Sequence, residues 1–146
     1  MAQSQQILVI NGPNLGRLGT REPEIYGHTT LADIENICSD QAASKGFTVS
    51  MMQSDAEHEI IKAIHQAIDD KLGGIVINAG AFTHTSVAIR DALSMASMPV
   101  VEVHLSNIHQ RETFRHHSYI SGVATGVIAG FGAESYRLAI MAITKE

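Results

Sequence analysis

The sequence predicts an α/β fold in which a five-stranded parallel sheet is covered by helices on both faces. Five short apolar segments alternate along the chain with segments in which apolar residues recur at helical spacing. The short segments are apolar throughout rather than at every second position, which is typical of parallel strands buried on both faces. The chain has 146 residues, of which 45% are hydrophobic and 17% charged. One domain spanning residues 1–146 is therefore expected.

The first predicted strand, Gln6 to Ile10, ends in a long polar loop. The loop lacks helix or strand signals up to Gly27, and this length predicts a lid or a binding loop. Its glycines fit neither the GxGxxG nor the GxxxxGK[ST] spacing, so a nucleotide-binding loop is not favoured. A plain turn would explain the glycines but not the polar side chains that the loop carries: Asn14, Arg17, Arg21, Glu22 and Tyr26.

The next helix and strand have recognisable boundaries. Thr30 and Asp33 have the spacing of a capping box and predict the start of a helix, which Gly46 ends. The second strand is predicted from Phe47 to Met52. Asp55 is expected to cap the following helix, whose isoleucines recur at helical spacing.

The second half of the chain repeats this alternation. Strands are predicted at Ile75 to Ile77, Pro99 to Val103 and Gly122 to Val127, and helices at Thr85 to Ser97 and Ala133 to Lys145. Five strands in one small domain favour a flavodoxin-like order, 2-1-3-4-5. The strand order reverses beside strands 1, 3 and 4, so the polar residues after these strands should meet at one edge of the sheet.

Glu102 and His104 are the clearest candidates for chemistry. Residues two apart in a strand point to the same side, so Glu102 could orient His104 as a general acid or base. A glutamate within an otherwise apolar strand also lacks an obvious structural role, which favours a catalytic one. Asn78, at the end of strand 3, could bind a ligand or bridge the loop backbone.

Two further pairs allow both a functional and a structural interpretation. Tyrosine has a pKa of about 10, which a nearby arginine lowers, so Arg21 could turn Tyr26 into a base. Alternatively, Arg21 is a solvated loop residue and Tyr26 an anchor. His84 and Asp91, seven residues apart, would lie on one side of the predicted third helix, as a functional pair or as a surface pair.

A metal site is not predicted. His109, His116 and His117 lie near one another in the sequence, but no pair has a recognised zinc spacing together with a third ligand. With Arg111 and Arg115, the segment is better interpreted as solvated, with one arginine reaching an anion.

Composition restricts the class of protein. The net charge of −5 gives no indication of nucleic-acid binding. No apolar run approaches the roughly 18 residues that span a bilayer, and the polar N-terminus does not resemble a signal peptide. The single cysteine, Cys38, is expected in the core and allows no internal disulfide. A soluble, cytoplasmic protein is expected.

Three segments together resemble type II 3-dehydroquinate dehydratase. They are NGPNLGRLGTREPEIYG from Asn11, INAGAFTHTSVAIRDAL from Ile77 and VEVHLSNIHQRETFRHHS from Val101. The resemblance extends over nearly the whole chain, in matching order and spacing. It implies a flavodoxin-like fold, a homododecamer built from trimers and no cofactor. The implied reaction dehydrates a small anionic substrate, 3-dehydroquinate, to 3-dehydroshikimate in the shikimate or quinate pathway.

The resemblance also implies catalytic roles. Tyr26 corresponds to the general base that removes a C2 proton, and Arg21 to the arginine that lowers the pKa of this tyrosine. Asn14 corresponds to the residue that holds a water against the enolate oxygen. His104 corresponds to the general acid that protonates the departing C1 hydroxyl, oriented by Glu102.

Substrate-binding roles follow in the same way. Asn78, the Leu105 backbone and Ser106 correspond to the site for the substrate carboxylate. His84 and Arg115 correspond to contacts with the ring hydroxyl groups.

The resemblance places Asp91 in the site of a neighbouring subunit. The chain departs from the family pattern at Gly16, Ala79, Phe82 and Ser54 to Ala56, none of which carries an assigned catalytic group.

The route through an enolate also agrees with the distribution of lysines. An imine mechanism needs a desolvated lysine in the pocket. The lysines all fall on or at the ends of predicted helices, and none follows a strand: Lys45, Lys62, Lys71 and Lys145.

Two other classes of function are alternatives to this one. The first is a flavodoxin-like binding module that holds a phosphorylated or flavin ligand without catalysis. The second is a metal-dependent hydrolase that uses His116 and His117.

Overall fold

A computed structural model describes residues 4–20 and 22–145, with the backbone alone at residues 25 and 26. All five strands pair in parallel, in the order β2-β1-β3-β4-β5. This confirms the predicted fold class and strand order. The strands are β1 (Gln6–Asn11), β2 (Thr48–Gln53), β3 (Gly74–Asn78), β4 (Val100–His104) and β5 (Gly126–Ala129).

Four longer helices of the described chain cover the sheet, and one short helix lies in the loop after β1. The helices are α1 (Pro23–Tyr26), α2 (Leu31–Ala43), α3 (Glu57–Asp69), α4 (Val87–Ser94) and α5 (Glu134–Thr144). None of the helices in the described ranges has the length and apolar character needed to cross a membrane.

Each face of the sheet has its own apolar core. Helices α2 and α5 pack on one face, where Ile34 and Ile140 belong to the same buried cluster as Val9 of β1. Helices α3 and α4 cover the other face, where Ile64 and Ile89 join a second cluster. Burial on both faces explains why the strands are apolar at consecutive positions.

The loop after β1 contains short helical turns, which its sequence did not predict. A 3₁₀ turn spans Leu15–Arg17, and α1 begins at Pro23. Leu15 and Leu18 are buried in the core between β1 and α2. Their burial holds the first part of the loop against the body of the protein.

The capping box before α2 is confirmed. The Thr30 side chain accepts a hydrogen bond from the Asp33 N–H (3.2 Å), and the Asp33 carboxylate accepts one from the Thr30 N–H (3.0 Å). The predicted cap at Asp55 is wrong. Ala56 is the N-cap of α3, and its side chain makes no capping hydrogen bond.

Several boundaries in the second half also differ from the prediction. Helix α4 begins at Val87, because the Ser86 hydroxyl caps it by accepting from the Ile89 N–H (2.9 Å). His84 therefore precedes this helix and does not share one side of it with Asp91. Strand β5 begins at Gly126, after a 3₁₀ turn at Ser121–Val123.

Candidate active site

A cavity of about 170 Å³ opens where the carboxyl ends of β1, β3 and β4 meet. This is the edge at which the strand order reverses, as the sequence predicted. Seven of the predicted site residues line the cavity: Asn14, Asn78, His84, His104, Leu105, Ser106 and Arg115.

Glu102 and His104 form a buried hydrogen-bonded pair beneath the cavity. Both lie on β4 and point to the same side of it, and the Glu102 Oε2 to His104 Nε2 distance is 2.5 Å. Their side chains are 1% and 6% exposed. The prediction that Glu102 would contact His104 is therefore confirmed.

Two serines that the sequence analysis missed complete the surroundings of Glu102. The Ser118 hydroxyl donates to Glu102 Oε2 (3.0 Å), and the Ser121 hydroxyl donates to Oε1 (2.6 Å). They follow β4 in a segment without periodicity, so only the buried glutamate itself signalled that donors were needed.

These contacts fix the charge of Glu102 and the orientation of His104. Burial, the largest influence, raises the pKa of Glu102, but the hydrogen bonds from His104, Ser121 and Ser118 together with the His104 charge lower it below its usual value. Glu102 is therefore a carboxylate, and His104 Nε2 must carry a proton to donate to it. The other ring nitrogen, Nδ1, remains for a ligand in the cavity.

His84 faces the same cavity as a neutral acceptor. Its Nδ1–H donates to the carbonyl of His117 (2.8 Å), and its ring stacks on His104 with 6.5 Å between centroids. Desolvation, the largest influence, lowers the pKa of His84, and the charges of His104 and Arg115 add to this, although the hydrogen bond to His117 and the charge of Glu102 oppose it. A neutral ring that donates from Nδ1 keeps a lone pair on Nε2, which can accept a hydroxyl proton.

Two arginines line the cavity, where the sequence interpretation expected one. Arg115 Nε lies 2.8 Å from Glu112 Oε1, and Arg111 Nε lies 3.9 Å from the same oxygen. Their side chains are 21% and 15% exposed. Two guanidinium groups that line one cavity favour an anionic ligand.

The histidines of this segment do not form a metal site. The His109 and His116 rings lie 5.6 Å apart, and His116 Nε2 contacts the Arg111 carbonyl oxygen (3.0 Å). Within residues 4–20 and 22–145, no three His, Cys, Asp or Glu side chains are grouped closely enough to hold an ion.

Residues at and just after the end of β2 hold the backbone of Gly12 and Asn14 by hydrogen bonds. Asn14 has a left-handed backbone (φ 70°), and its N–H donates to Asp55 Oδ1 (2.9 Å). Gln53 Nε2 donates to the same oxygen and to the Gly12 carbonyl, both at 3.1 Å. Asp55 therefore holds the loop after β1, which explains why it does not cap α3.

Three predicted residues are not placed in this cavity. Arg21 and the Tyr26 side chain lie outside the described residues. Asp91 lies on the exposed side of α4, where it pairs with Arg90 at 3.2 Å, and it does not line this cavity.

Comparisons with known proteins agree in one assignment. Residues 5–144 match the family model described as dehydroquinase class II. A 3-dehydroquinate dehydratase of Legionella pneumophila (strain Corby) is 56% identical over 142 residues, which cover 97% of this chain and 98% of the relative. One of Saccharophagus degradans is 57% identical over 136 residues, or 93% of each chain. The crystal structure of type II dehydroquinase from Propionibacterium acnes superposes with a TM-score of 0.93 at 46% identity and covers 100% of both chains.

Proposed function

This chain belongs to the class II dehydroquinase family, and we propose that it is a hydro-lyase that converts 3-dehydroquinate to 3-dehydroshikimate in the shikimate pathway. The observation that carries this proposal is the buried Glu102–His104 pair on the wall of a cavity that also holds two arginines. A proton donor beside a site for an anion is what dehydration of a hydroxy acid needs. The family match does not favour the alternative of a flavin-binding or phosphate-binding module.

The reaction removes a proton from C2 and a hydroxyl group from C1. We propose that Tyr26 is the base and that Arg21 favours its phenolate form, since a nearby cation stabilises a negative charge. The electrons left at C2 pass to the ketone oxygen and form an enolate. A water held by Asn14 would donate a hydrogen bond to this oxygen.

His104 then completes the elimination. Its Nδ1–H donates a proton to the departing C1 hydroxyl, which leaves as water while the enolate electrons form the new double bond. Glu102 supports this step because it fixes the ring and balances the charge of the protonated imidazole.

The substrate carboxylate is assigned to Asn78, the Leu105 backbone and Ser106, since all three residues line the cavity. His84 Nε2 would accept a hydrogen bond from one ring hydroxyl group, and Arg115 would donate a hydrogen bond to another. A neutral acceptor and a cationic donor distinguish the two hydroxyl groups.

The enolate route does not use an imine. No lysine is among the described residues that line the cavity, and an imine would require one. Borohydride added together with substrate should therefore leave the activity intact, and mass spectrometry should find no substrate trapped on a lysine.

A direct assay tests the proposed reaction. Purified protein is mixed with 3-dehydroquinate, and the conjugated enone product is followed by its ultraviolet absorbance. His104→Ala protein is the matched control for contaminating activity. Absence of the absorbance change with wild-type protein would contradict the proposed function.

We also propose that the chain assembles as a homododecamer of trimers in which Asp91 reaches the site of a neighbouring subunit. Support comes from α4 and its C-cap residue Met95, where Val87, Asp91 and Met95 recur every four residues and are all exposed. Two apolar side chains flanking a carboxylate suit an interface with a second copy of the chain. Sedimentation at assay concentration should give twelve chains, and Asp91→Ala should weaken both the trimer and substrate binding.

We also propose a cytoplasmic location, on the basis of the cysteine content. The fold contains one cysteine and needs no disulfide, so it suits a reducing compartment. Activity should appear in the soluble cytoplasmic fraction of cells that make the protein, and its recovery in the membrane fraction would contradict this location.

A further inference from the structure

Tyr136 lies on α5 and is fully buried, yet its hydroxyl group reaches the edge of the sheet that holds the site. The hydroxyl donates to Asn11 Oδ1 at 2.6 Å and accepts from Asn78 Nδ2 at 2.9 Å. Asn11 and Asn78 are paired residues at the ends of β1 and β3. One phenol therefore bridges two asparagines, and one of these lines the cavity.

Backbone groups at both ends determine the direction of every hydrogen bond that links Asn11, Tyr136 and Asn78. Asn11 Nδ2 donates to the Met52 carbonyl (3.2 Å), which can only accept, so Asn11 Oδ1 must face Tyr136. Asn78 Oδ1 accepts from the Gly80 N–H (3.2 Å), which can only donate, so Asn78 Nδ2 must face Tyr136. The phenol satisfies both by donating to one amide and accepting from the other.

The phenol keeps its proton under all ordinary conditions. Burial raises the pKa of Tyr136 far above that of a free tyrosine, although the hydrogen bond from Asn78 lowers it slightly. A neutral hydroxyl is the only form that can donate to Asn11 and accept from Asn78 at the same time.

The Asn78 amide has two N–H groups, and Tyr136 accepts only one of them. Among the described residues, no acceptor is recorded for the second, and the side chain lines the cavity. An N–H offered at this position suits a carboxylate, because hydrogen bonds to charged groups are stronger than those between neutral groups.

We propose that Tyr136 is a positioning residue: through its hydroxyl group it fixes the Asn78 amide so that an N–H faces the carboxylate of the substrate. The inference rests on the proposed function, which supplies the anionic substrate. Without the hydroxyl, Asn78 keeps a single anchor at Gly80, and its amide can rotate away from the ligand.

Tyr136→Phe tests the proposal, because it removes the hydroxyl and keeps the ring in the core. Losing one hydrogen bond to a charged group costs about 10-fold in affinity. We expect the KM for 3-dehydroquinate to rise about 10-fold while kcat stays within about twofold of wild type. The dissociation constant of quinate, a carboxylate ligand that is not dehydrated, should rise by the same factor in calorimetry.

Two controls separate positioning from general loss of structure. Thr144→Val removes another buried hydroxyl from the same helix, one that donates to the Ile140 carbonyl (2.8 Å) away from the cavity. This variant should keep the wild-type KM and kcat. In an Asn78→Ala background, adding Tyr136→Phe should raise KM no further, because the group being positioned is already absent.

Wild-type KM and quinate affinity in folded Tyr136→Phe would overturn the inference, and so would a fall in kcat at constant KM. If Tyr136→Phe does not fold, Asn11→Ala replaces it, since it removes the acceptor that directs the hydroxyl, and the same rise in KM is expected. If wild-type protein binds quinate but does not dehydrate 3-dehydroquinate, the proposed function fails, and quinate affinity alone decides the role of Tyr136.

Discussion

Glu102 Oε2 accepts a hydrogen bond of 2.5 Å from His104 Nε2, two residues further along the same buried strand. The carboxylate also accepts from Ser118 and Ser121, so each of its oxygens has a protein donor. The histidine ring is thereby held with its other nitrogen available to the cavity.

His104→Ala should mainly slow the chemical step, because it removes the proton donor to the departing hydroxyl. General acid catalysis contributes about 10²–10⁴-fold, so kcat should fall within that range. Steady-state kinetics with 3-dehydroquinate measure this. Ser106→Ala serves as the contrast and should act mostly on KM. If His104→Ala keeps kcat and raises only KM, His104 binds substrate without donating a proton.

Glu102 should also make the stability of the protein depend on pH. Hydrogen bonds hold its folded pKa below the usual 4.5, despite the opposing effect of burial. Its stabilising contribution is therefore fully present above about pH 4.5 and is lost as the pH falls through the folded pKa. Urea unfolding below pH 5 should show a weaker pH dependence in Glu102→Gln than in wild type. Glu35→Gln, on the exposed side of α2, is the control and should follow wild type.

Tyr26→Phe should abolish turnover while substrate still binds, because only the phenolic oxygen is removed. Calorimetry with quinate measures binding, and the enone absorbance measures turnover. Arg21→Lys keeps the positive charge but loses the planar guanidinium group. It should lower the rate and move the rise of kcat/KM with pH towards higher pH. Substantial turnover by Tyr26→Phe would exclude this tyrosine as the base.

Asp55→Ala should lower kcat/KM by about fivefold, the value of one net hydrogen bond of roughly 1 kcal/mol. The carboxylate holds the N–H of Asn14 and the amide of Gln53, so its loss frees the start of the loop. Asp55→Asn keeps an acceptor oxygen at this position and should stay near wild type. Equal activities in the two variants would show that this anchor does not support the site.

Cys38 should not react with thiol reagents in the native protein. Burial raises its pKa from 9.0 to about 12, and the charge of Arg137 offsets this only in part. The thiolate is the reactive form, and the side chain is fully buried as well. Ellman's reagent should label the thiol only after denaturation, so prompt labelling of folded protein would indicate local opening of α2.

The sequence predicted the strand order and the Glu102–His104 contact because each rests on a local rule. Apolar strands alternating with helices restrict the topology, and residues two apart in a strand share a side. The edges of elements were predicted less well. Gly122 was assigned to a strand, but β5 begins at Gly126, where its pairing with Val101 of β4 begins.

Contacts between distant segments could not be predicted in this way. Asp55 has the residue type and position of a helix cap, but an N–H from the loop after β1 occupies its carboxylate instead. Tyr136 has the spacing of an ordinary core residue of α5, and nothing in the local pattern indicates that its hydroxyl reaches Asn78. Such roles depend on which groups tertiary packing brings together.

The bridge made by Tyr136 links binding of the substrate carboxylate to a late stage of folding. Tyr136 and Asn11 are 125 residues apart in sequence, so their contact closes almost the longest loop available to the chain. Contacts of this kind form late, because the chain entropy of closing the loop must be overcome first. A nascent chain still lacking α5 has no Tyr136 and therefore cannot orient the Asn78 amide through this hydroxyl. The part of the carboxylate affinity that we attribute to Tyr136 is therefore acquired only with the last helix.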